Sequence, residues 1–199
     1  MNITRKVAVL GALVTTALIS VGAQAAVITF DPIASTGQQL YSSYTEAGFS
    51  ITSTSNSFAS WGSTESDHTG SQALFQNSIN GVTELSKVGG GAFSFDSIDL
   101  SEVYNQTSYA ATNVTFVGAL SGGGTTSVSV DLDLIFGNQT FNFGNAFSSV
   151  TSMSWVQTFN YHQFDNLVMD NGTSVPEPSS LALVGLALAG LGVRRARRG

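Results

Sequence analysis

Residues 26–175 repeat one local pattern, in which a short apolar or alternating run is followed by Gly, Ser or Asn. Alternation is clearest over residues 128–134, where Val and Leu take every second position and Ser129, Asp131 and Asp133 take the others. Such alternation is typical of a strand with one buried and one wet face. No window in this segment has the period of a helix. The predicted strands are residues 27–31, 48–53, 57–61, 72–76, 82–88, 92–100, 113–120, 125–134, 139–143, 150–159 and 163–170.

Many short strands separated by turn residues predict an all-β fold, a single β-sandwich of jelly-roll type. Glycines at 89–91 and 122–124 predict hairpin connections. Over residues 93–100 the apolar parity changes after Phe95, which predicts a β-bulge or a strand switch at Asp96 and Ser97. Residues 37–46 and 62–70 are the least regular, and we expect them to form loops at the ends of the sandwich.

The segment between the chain ends is strongly acidic. Of the seven basic residues, Arg5 and Lys6 lie near the N-terminus and four arginines near the C-terminus, so Lys87 is the only base in residues 26–175. The acids of this segment are Asp31, Glu46, Glu65, Asp67, Glu84, Asp96, Asp99, Glu102, Asp131, Asp133, Asp165 and Asp170. Such a domain repels nucleic acid and acidic membrane surfaces, whereas it does not repel divalent cations or neutral sugars. Cysteine is absent, so no disulfide or thiolate metal site can stabilise the fold.

Residues 1–25 have the three parts of a secretory signal peptide. Arg5 and Lys6 precede an apolar run over residues 7–21, and Ala23, Gln24 and Ala25 form an A-x-A cleavage site. We therefore expect export through the Sec translocon and a mature chain that begins at Ala26. A permanent N-terminal anchor is the alternative, but the apolar run is shorter than a usual spanning helix.

Residues 175–199 combine a stiff hinge, an apolar run and a basic end. The hinge contains Pro176, Glu177 and Pro178, and residues 181–193 are an apolar run. The basic end consists of Arg194, Arg195, Arg197 and Arg198. A helix over residues 181–193 would be about 20 Å long, short of the roughly 30 Å hydrocarbon core of a bilayer. A buried core helix is the alternative, but clustered arginines favour a short transmembrane helix whose basic end stays in the cytoplasm.

This tripartite tail resembles the PEP-CTERM sorting signal of bacterial exported proteins. The resemblance implies that the tail holds the protein at the membrane until an exosortase cuts near Pro176, Glu177 and Pro178. The predicted organisation is a signal peptide at 1–25, a β-sandwich domain at 26–174 and the sorting tail at 175–199.

The segment between the ends resembles the sandwich domains found with this tail. The likeness rests on Ile28-Thr-Phe-Asp31, on residues 93–100 and on Phe164-Asp-Asn-Leu-Val168. Those domains are similar to carbohydrate-binding jelly rolls, which often hold a structural calcium. Because first and last strands of a jelly roll commonly lie side by side, Asp31 and Asp165 are predicted to approach each other and to share a calcium ion. The alternative is that both aspartates face solvent at strand ends.

No motif in the sequence predicts catalysis. His68, in the run Glu65-Ser-Asp-His-Thr-Gly70, matches no zinc or calcium-loop spacing, so a solvated turn is favoured over a metal loop. His162 and Asp165 could join a serine in a triad, but no Gly-x-Ser-x-Gly elbow is present. Asp131 and Asp133 are neighbours along one predicted strand and do not face each other across a cleft as glycosidase carboxyls do. We interpret them as solvated charge on an edge strand, where charge also protects against strand addition.

Aromatic residues in Ser-rich stretches are candidate sugar-stacking platforms. Trp61, Tyr41 and Tyr44 are predicted to be exposed there, whereas Trp155 and Met153 are predicted to face the core. The leading hypothesis is a non-enzymatic exported protein of the cell surface or of the exopolysaccharide matrix. It is membrane-associated before its tail is processed, and exopolysaccharide is a possible partner. A carbohydrate-binding module is the first alternative, and a secreted hydrolase is the second.

Overall fold

A computed structural model describes residues 25–106 and 112–170. The strands are β1 (Ala25–Ile28), β2 (Gln39–Tyr41), β3 (Ser43–Glu46), β4 (Phe49–Ser53), β5 (Phe58–Ser60), β6 (Leu74–Gln76), β7 (Val82–Lys87), β8 (Ser94–Glu102), β9 (Asn113–Leu120), β10 (Thr125–Asp131), β11 (Gln139–Asn142), β12 (Val150–Val156) and β13 (His162–Asp170). A 3₁₀ helix, Asp31–Ile33, follows β1. The predicted signal sequence up to Gln24 and the sorting tail lie outside the described residues.

The strands form two antiparallel sheets that face each other as a sandwich. The seven-stranded sheet has the order β11-β8-β13-β6-β5-β2, and β1 also pairs with β13. The six-stranded sheet has the order β10-β9-β12-β7-β4-β3. The predicted all-β sandwich is therefore confirmed, and so is the pairing of the first strand with the last.

Aromatic side chains fill the space between the sheets. Trp155 of β12 meets Phe164 of β13 edge to face, with ring centroids 5.1 Å apart and planes at 89°. Phe116 of β9 is the register partner of Trp155, and the centroids of these two rings are 5.4 Å apart. Trp155 and Met153 are both buried, as predicted. Because such large rings bury much apolar area, these contacts join the two sheets into one core.

Most predicted strands are present, but residues 37–46 were wrongly expected to be a loop. They contain β2 and β3, which are short strands at the edges of the two sheets. Frequent Ser and Gln residues conceal the strand pattern there, although Tyr44 does point inward. The segment 62–70 contains no strand, as predicted.

The predicted bulge is present, and a second one compensates for it. Phe95 pairs with Met169 and Ser97 pairs with Val168, so Asp96 is the extra residue on β8. On β13, Asn166 adopts the left-handed conformation with φ 48° where the register between Asp165 and Val168 shifts. Two bulges on opposite strands restore the register and re-aim the neighbouring side chains.

Strand β10 is shorter than predicted. It ends at Asp131, so Asp133 lies beyond the strand and the two carboxylates do not share one strand face. The Asp131 carboxylate accepts a hydrogen bond from Asn113 Nδ2 (2.8 Å) on the neighbouring strand, and Asp133 Oδ1 accepts one from Ile135 N (3.0 Å). Asp133 therefore caps a turn.

Within residues 25–106 and 112–170, no helix has the length and apolar character needed to cross a membrane. The helix predicted for residues 181–193 lies outside this part of the chain.

Candidate functional site

A cleft of about 420 Å³ opens between the chain after β1 and the loop that joins β5 to β6. Its polar lining residues are Asp31, Ser35, Thr36, Ser63, His68, Ser71 and Gln72. Hydroxyl groups dominate this lining, and it contains neither Lys nor Arg. The cleft is thus suited to hydrogen bonding with a neutral or cationic ligand.

Backbone contacts hold the two walls of the cleft together. Ser63 N donates to Ser35 O (2.9 Å), and Thr64 N donates to Thr36 O (3.1 Å). Gly62 lies so close to the opposite wall that a Cβ atom there would be 2.3 Å from Gly37 N. A glycine is therefore required at position 62 for this approach.

Behind the cleft lies a buried carboxylate. Asp165 of β13 is only 1% exposed, and it accepts hydrogen bonds from Ser71 Oγ and from Asn166 N (2.7 Å). Burial raises the pKa of Asp165 to about 6, and the nearby Asp99 and Asp31 carboxylates act in the same direction. The two hydrogen bonds oppose this rise because they stabilise the ionised form.

Neutral donors separate Asp165 from Asp99, which is its direct partner in the register of β13 and β8. Asn166 Nδ2 donates to Asp99 Oδ2 (2.8 Å), and Thr140 Oγ1 donates to Asp99 Oδ1 (2.5 Å). The left-handed conformation of Asn166 directs its backbone N–H to Asp165 and its side-chain amide to Asp99. The bulge at Asn166 thus lets two like charges occupy one face of a sheet, where direct opposition is unfavourable.

The predicted pair Asp31 and Asp165 lies at this cleft. Asp31 is an exposed lining residue, whereas Asp165 is buried and accepts a hydrogen bond from the lining residue Ser71. In the described residues, no group of three or more His, Asp or Glu side chains is arranged to hold a metal ion. A shared calcium ion therefore stays a prediction that rests on two carboxylates. Both oxygens of Asp165 already accept hydrogen bonds, so the ion would have to use their remaining lone pairs.

The expected exposure of the three aromatic candidates is wrong for Tyr44 and only partly correct for the other two. Tyr44 lies in β3, is 9% exposed and donates its hydroxyl to Glu46 Oε2 (2.9 Å). Tyr41 is half-buried at the end of β2. Half-buried Trp61 stacks on Phe75, with centroids 5.2 Å apart, and its Nε1 donates to Val103 O (3.0 Å). Strand formation and packing under the loop explain the difference from the sequence prediction.

Sequence reasoning also missed the most exposed aromatic residue of the described chain. Phe159, in the turn between β12 and β13, is 79% exposed. It was assigned to a predicted strand, 150–159, which ends earlier, at Val156. The Ser71, Asn166 and Asp99 network was missed as well, because a bulge that brings together residues from distant strands leaves no local pattern.

The two histidines have different environments. His68 lines the cleft, and its Nδ1 accepts a hydrogen bond from Gly70 N (3.1 Å), which fits the predicted turn. His162 is fully buried, and burial lowers its pKa to about 4. Its side chain shares the core face with Phe164, whereas Asp165 lies on the opposite face of β13. His162 and Asp165 therefore cannot act together in a triad.

Comparison with known proteins identifies the C-terminal segment. The family described as the PEP-CTERM protein-sorting motif matches residues 174–198. This motif implies an exported protein whose C-terminal membrane-anchoring signal is processed by an exosortase. No curated protein sequence matches the chain.

A likeness to one solved structure concerns the rest of the chain. This structure is a family 11 carbohydrate-binding module from Clostridium thermocellum in complex with a beta-1,3-1,4-mixed-linked tetrasaccharide. The match has 9% sequence identity, covers 75% of this chain and 96% of that chain, and has a TM-score of 0.30.

Proposed function

We propose that this protein is a non-enzymatic component of the cell surface or of the extracellular polysaccharide matrix, freed from the membrane when an exosortase removes its tail. The observation that best supports this proposal is the position at which the sorting motif begins. Strand β13 ends at Asp170, and the motif match begins at residue 174. Cleavage near Pro176, Glu177 and Pro178 would therefore leave every described strand intact.

Processing at the N-terminus is equally compatible with the fold. Cleavage before Ala26 would remove only Ala25 from β1. The pairs of Ala26 with Met169, Val27 with Val168 and Ile28 with Leu167 would remain. Both processing steps thus spare the sandwich, which then acts as the mature unit.

The surface chemistry favours a neutral polysaccharide as the partner. The cleft offers hydroxyl donors and the Asp31 carboxylate as an acceptor, with neither Lys nor Arg in its lining, and neutral sugars are bound by such groups. This observation also supports the alternative that the sandwich is a carbohydrate-binding module. A secreted hydrolase has less support, because Asp165 lies behind Ser71 and its oxygens are engaged, whereas glycosidases need two carboxyls facing across the scissile bond.

Intact-mass analysis of protein recovered from the matrix tests the proposal. We expect a chain that starts at Ala26 and ends near Pro176, Glu177 and Pro178. Matrix protein that retains residues 194–198 would contradict the proposed release. Neutral replacement of Arg194, Arg195, Arg197 and Arg198 should leave the precursor poorly retained or wrongly oriented, because the predicted helix is too short to anchor firmly without them.

Polysaccharide co-sedimentation separates the first alternative from the proposal. Thr36→Ala and His68→Ala alter the cleft, and Thr126→Ala, on the six-stranded sheet, is the matched control. Binding that is lost in both cleft variants and retained in the control would identify a carbohydrate-binding module. Equal binding by all three variants would place any sugar contact outside the cleft.

A further inference from the structure

Strand β10 is the longest edge strand among the described residues. It contains seven residues and ends the six-stranded sheet, whereas the other edge strands β1, β2, β3 and β11 contain three or four. Within residues 25–106 and 112–170, no strand pairs with its outer side. Its outer edge is therefore a row of backbone groups that a further strand could join.

Two hydrogen bonds at the ends of the β9–β10 ladder show which residues face outward. Leu120 N donates to Gly124 O, and Leu132 N donates to Thr112 O, both at 3.0 Å. Bonded and non-bonded pairs alternate along an antiparallel ladder. The even-numbered residues of β10 thus direct their N–H and C=O groups to β9. The outward-facing residues are Thr125, Ser127, Ser129 and Asp131.

The chemistry of this edge favours strand pairing. Residues 125–130 contain no charge and no Pro, and Thr and Val make up four of the six. The only charge of the strand, Asp131, lies at its last residue, where Asn113 Nδ2 engages the carboxylate. The charge predicted to protect this edge therefore protects one end of it only.

We propose that β10 is a self-association edge, on which a second copy of the chain pairs antiparallel about a twofold axis at Val128. In this register Ser127 of one copy lies opposite Ser129 of the second copy, and Thr125 lies opposite Asp131. All four outward residues of each copy then meet an outward residue of the other, as an antiparallel ladder requires.

The self-complementary edge favours a second copy as the occupant, because each outward residue meets an outward residue of an identical strand. Residues 26–175 carry twelve acids and one base, so two copies repel each other wherever their carboxylates meet. The register about Val128 brings no two carboxylates opposite each other, because Asp131 meets Thr125. Pairing would join the two six-stranded sheets into one continuous sheet and link neighbouring exported copies.

Two variants with equal numbers of substitutions test both the edge and its register. Ser127→Glu with Ser129→Glu places like charges opposite each other across the axis, and association should weaken roughly tenfold. Ser127→Lys with Ser129→Glu places opposite charges there, and association should be at least as strong as in the wild type. Analytical ultracentrifugation of the full chains in detergent measures this. The tail is identical in all of them, so association through the tail cannot separate the variants.

Amide hydrogen exchange supplies an independent readout. On dilution of the dimer, the amides of Ser127 and Ser129 should lose protection, whereas those of Thr126 and Val128 should keep theirs through β9. A wild-type chain that stays monomeric would overturn the proposal. Equal association of the two variants would also overturn it. So would protection of the Ser127 and Ser129 amides that does not depend on concentration, because another segment of the same chain would then cover the edge.

Discussion

The outer faces of the two sheets differ. The outer face of the six-stranded sheet is exposed to solvent, and we call this sheet the wet sheet. In its strand β4, Phe49 and Ile51 are buried, whereas Thr52 is exposed. The outer face of the seven-stranded sheet is buried, and we call this sheet the covered sheet. All three residues of β6 and the first four of β13 are buried, and these include polar residues. The loop over residues 61–72 covers this second outer face, as the contacts of Trp61 with Val103 and of Ser71 with Asp165 show.

A covered polar face behaves differently from a wet one. Its polar groups have lost water, so a hydrogen bond within the protein offsets the cost of burying each of them. Gln163 is paired in this way with Asp67 and Glu102, and Asp165 with Ser71 and Asn166. The residues of the cleft and its network are therefore held in place by the covering loop, whereas outer residues of the six-stranded sheet can vary more freely.

The largest expected effect comes from breaking the attachment of the covering loop. Gly62→Ala places a Cβ atom 2.3 Å from Gly37 N, which the backbone can relieve only by separating the two walls of the cleft. We expect a loss of about 3 kcal/mol in the free energy of unfolding. Urea denaturation measures it. Gly37→Ala is the matched control, because its Cβ would meet nothing within 4 Å; similar losses in both variants would show that the walls are not held at Gly62.

A smaller effect is expected when a covered polar residue loses its bonds. Gln163 Nε2 donates to Asp67 O (3.2 Å) and Glu102 O (3.0 Å), and Gln163→Leu removes both donors. The loss should be about 2 kcal/mol, because each of the two hydrogen bonds contributes about 1 kcal/mol. On the wet sheet, Thr52→Leu should change stability by less than about 0.5 kcal/mol. Thermal unfolding measures both variants. Equal shifts of their two midpoints would contradict the distinction between the sheets.

The sequence predicts the wet sheet better than the covered one, for the same physical reason. Alternation reveals a strand only when one face meets water, as in β9, where the buried Val114 and Phe116 alternate with the exposed Asn113 and Thr115. Strands buried on both faces lack this signal. They were still located, because apolar runs between turn residues mark their positions.

Details of the site were less accessible to sequence reasoning. Asp31 and Asp165 were predicted to approach each other through the pairing of the first and last strands, and β1 does pair with β13. The bulge at Asn166 and the hydrogen bond from Ser71 depend on contacts between residues far apart in the chain. No local pattern encodes such contacts, and the same limit produced the wrong exposure for Tyr44.

The covered sheet should also have a distinctive pH dependence. Burial raises the pKa of Asp165 to about 6, so the folded state binds its proton more tightly and stability falls as pH rises from about 4 to about 6. Burial lowers the pKa of His162 from its ordinary value of 6.5 to about 4. Stability therefore rises as the pH increases from about 4 to about 6.5. The two contributions oppose each other in the wild type.

Asp165→Asn removes one of these contributions. The free energy of unfolding of this variant should rise more steeply with pH between about 4 and 6.5, and near neutral pH it should exceed the wild-type value by about 1 kcal/mol. Denaturation curves across this pH range measure the slope. Glu84→Gln, which removes an exposed carboxylate from the six-stranded sheet, is the control and should follow the wild type. A variant slope equal to that of the wild type would show that Asp165 does not titrate in this window.

The smallest expected effect concerns the predicted calcium ion at Asp31 and Asp165. Calcium requires six to eight oxygen ligands, and these two carboxylates supply only some of them, so carbonyl oxygens and water must complete the site and binding should be weak. An ion that binds only the folded state, at about twice its dissociation constant, should add about 0.6 kcal/mol to the free energy of unfolding relative to protein in EDTA. Thermal unfolding should show this gain in the wild type and in Asp131→Asn, but not in Asp31→Asn with Asp165→Asn. A gain that survived the double substitution would assign the ion to another part of the chain. An unchanged wild-type midpoint would mean that hydrogen bonds from Ser71 and Asn166 alone accommodate the buried carboxylate of the covered sheet.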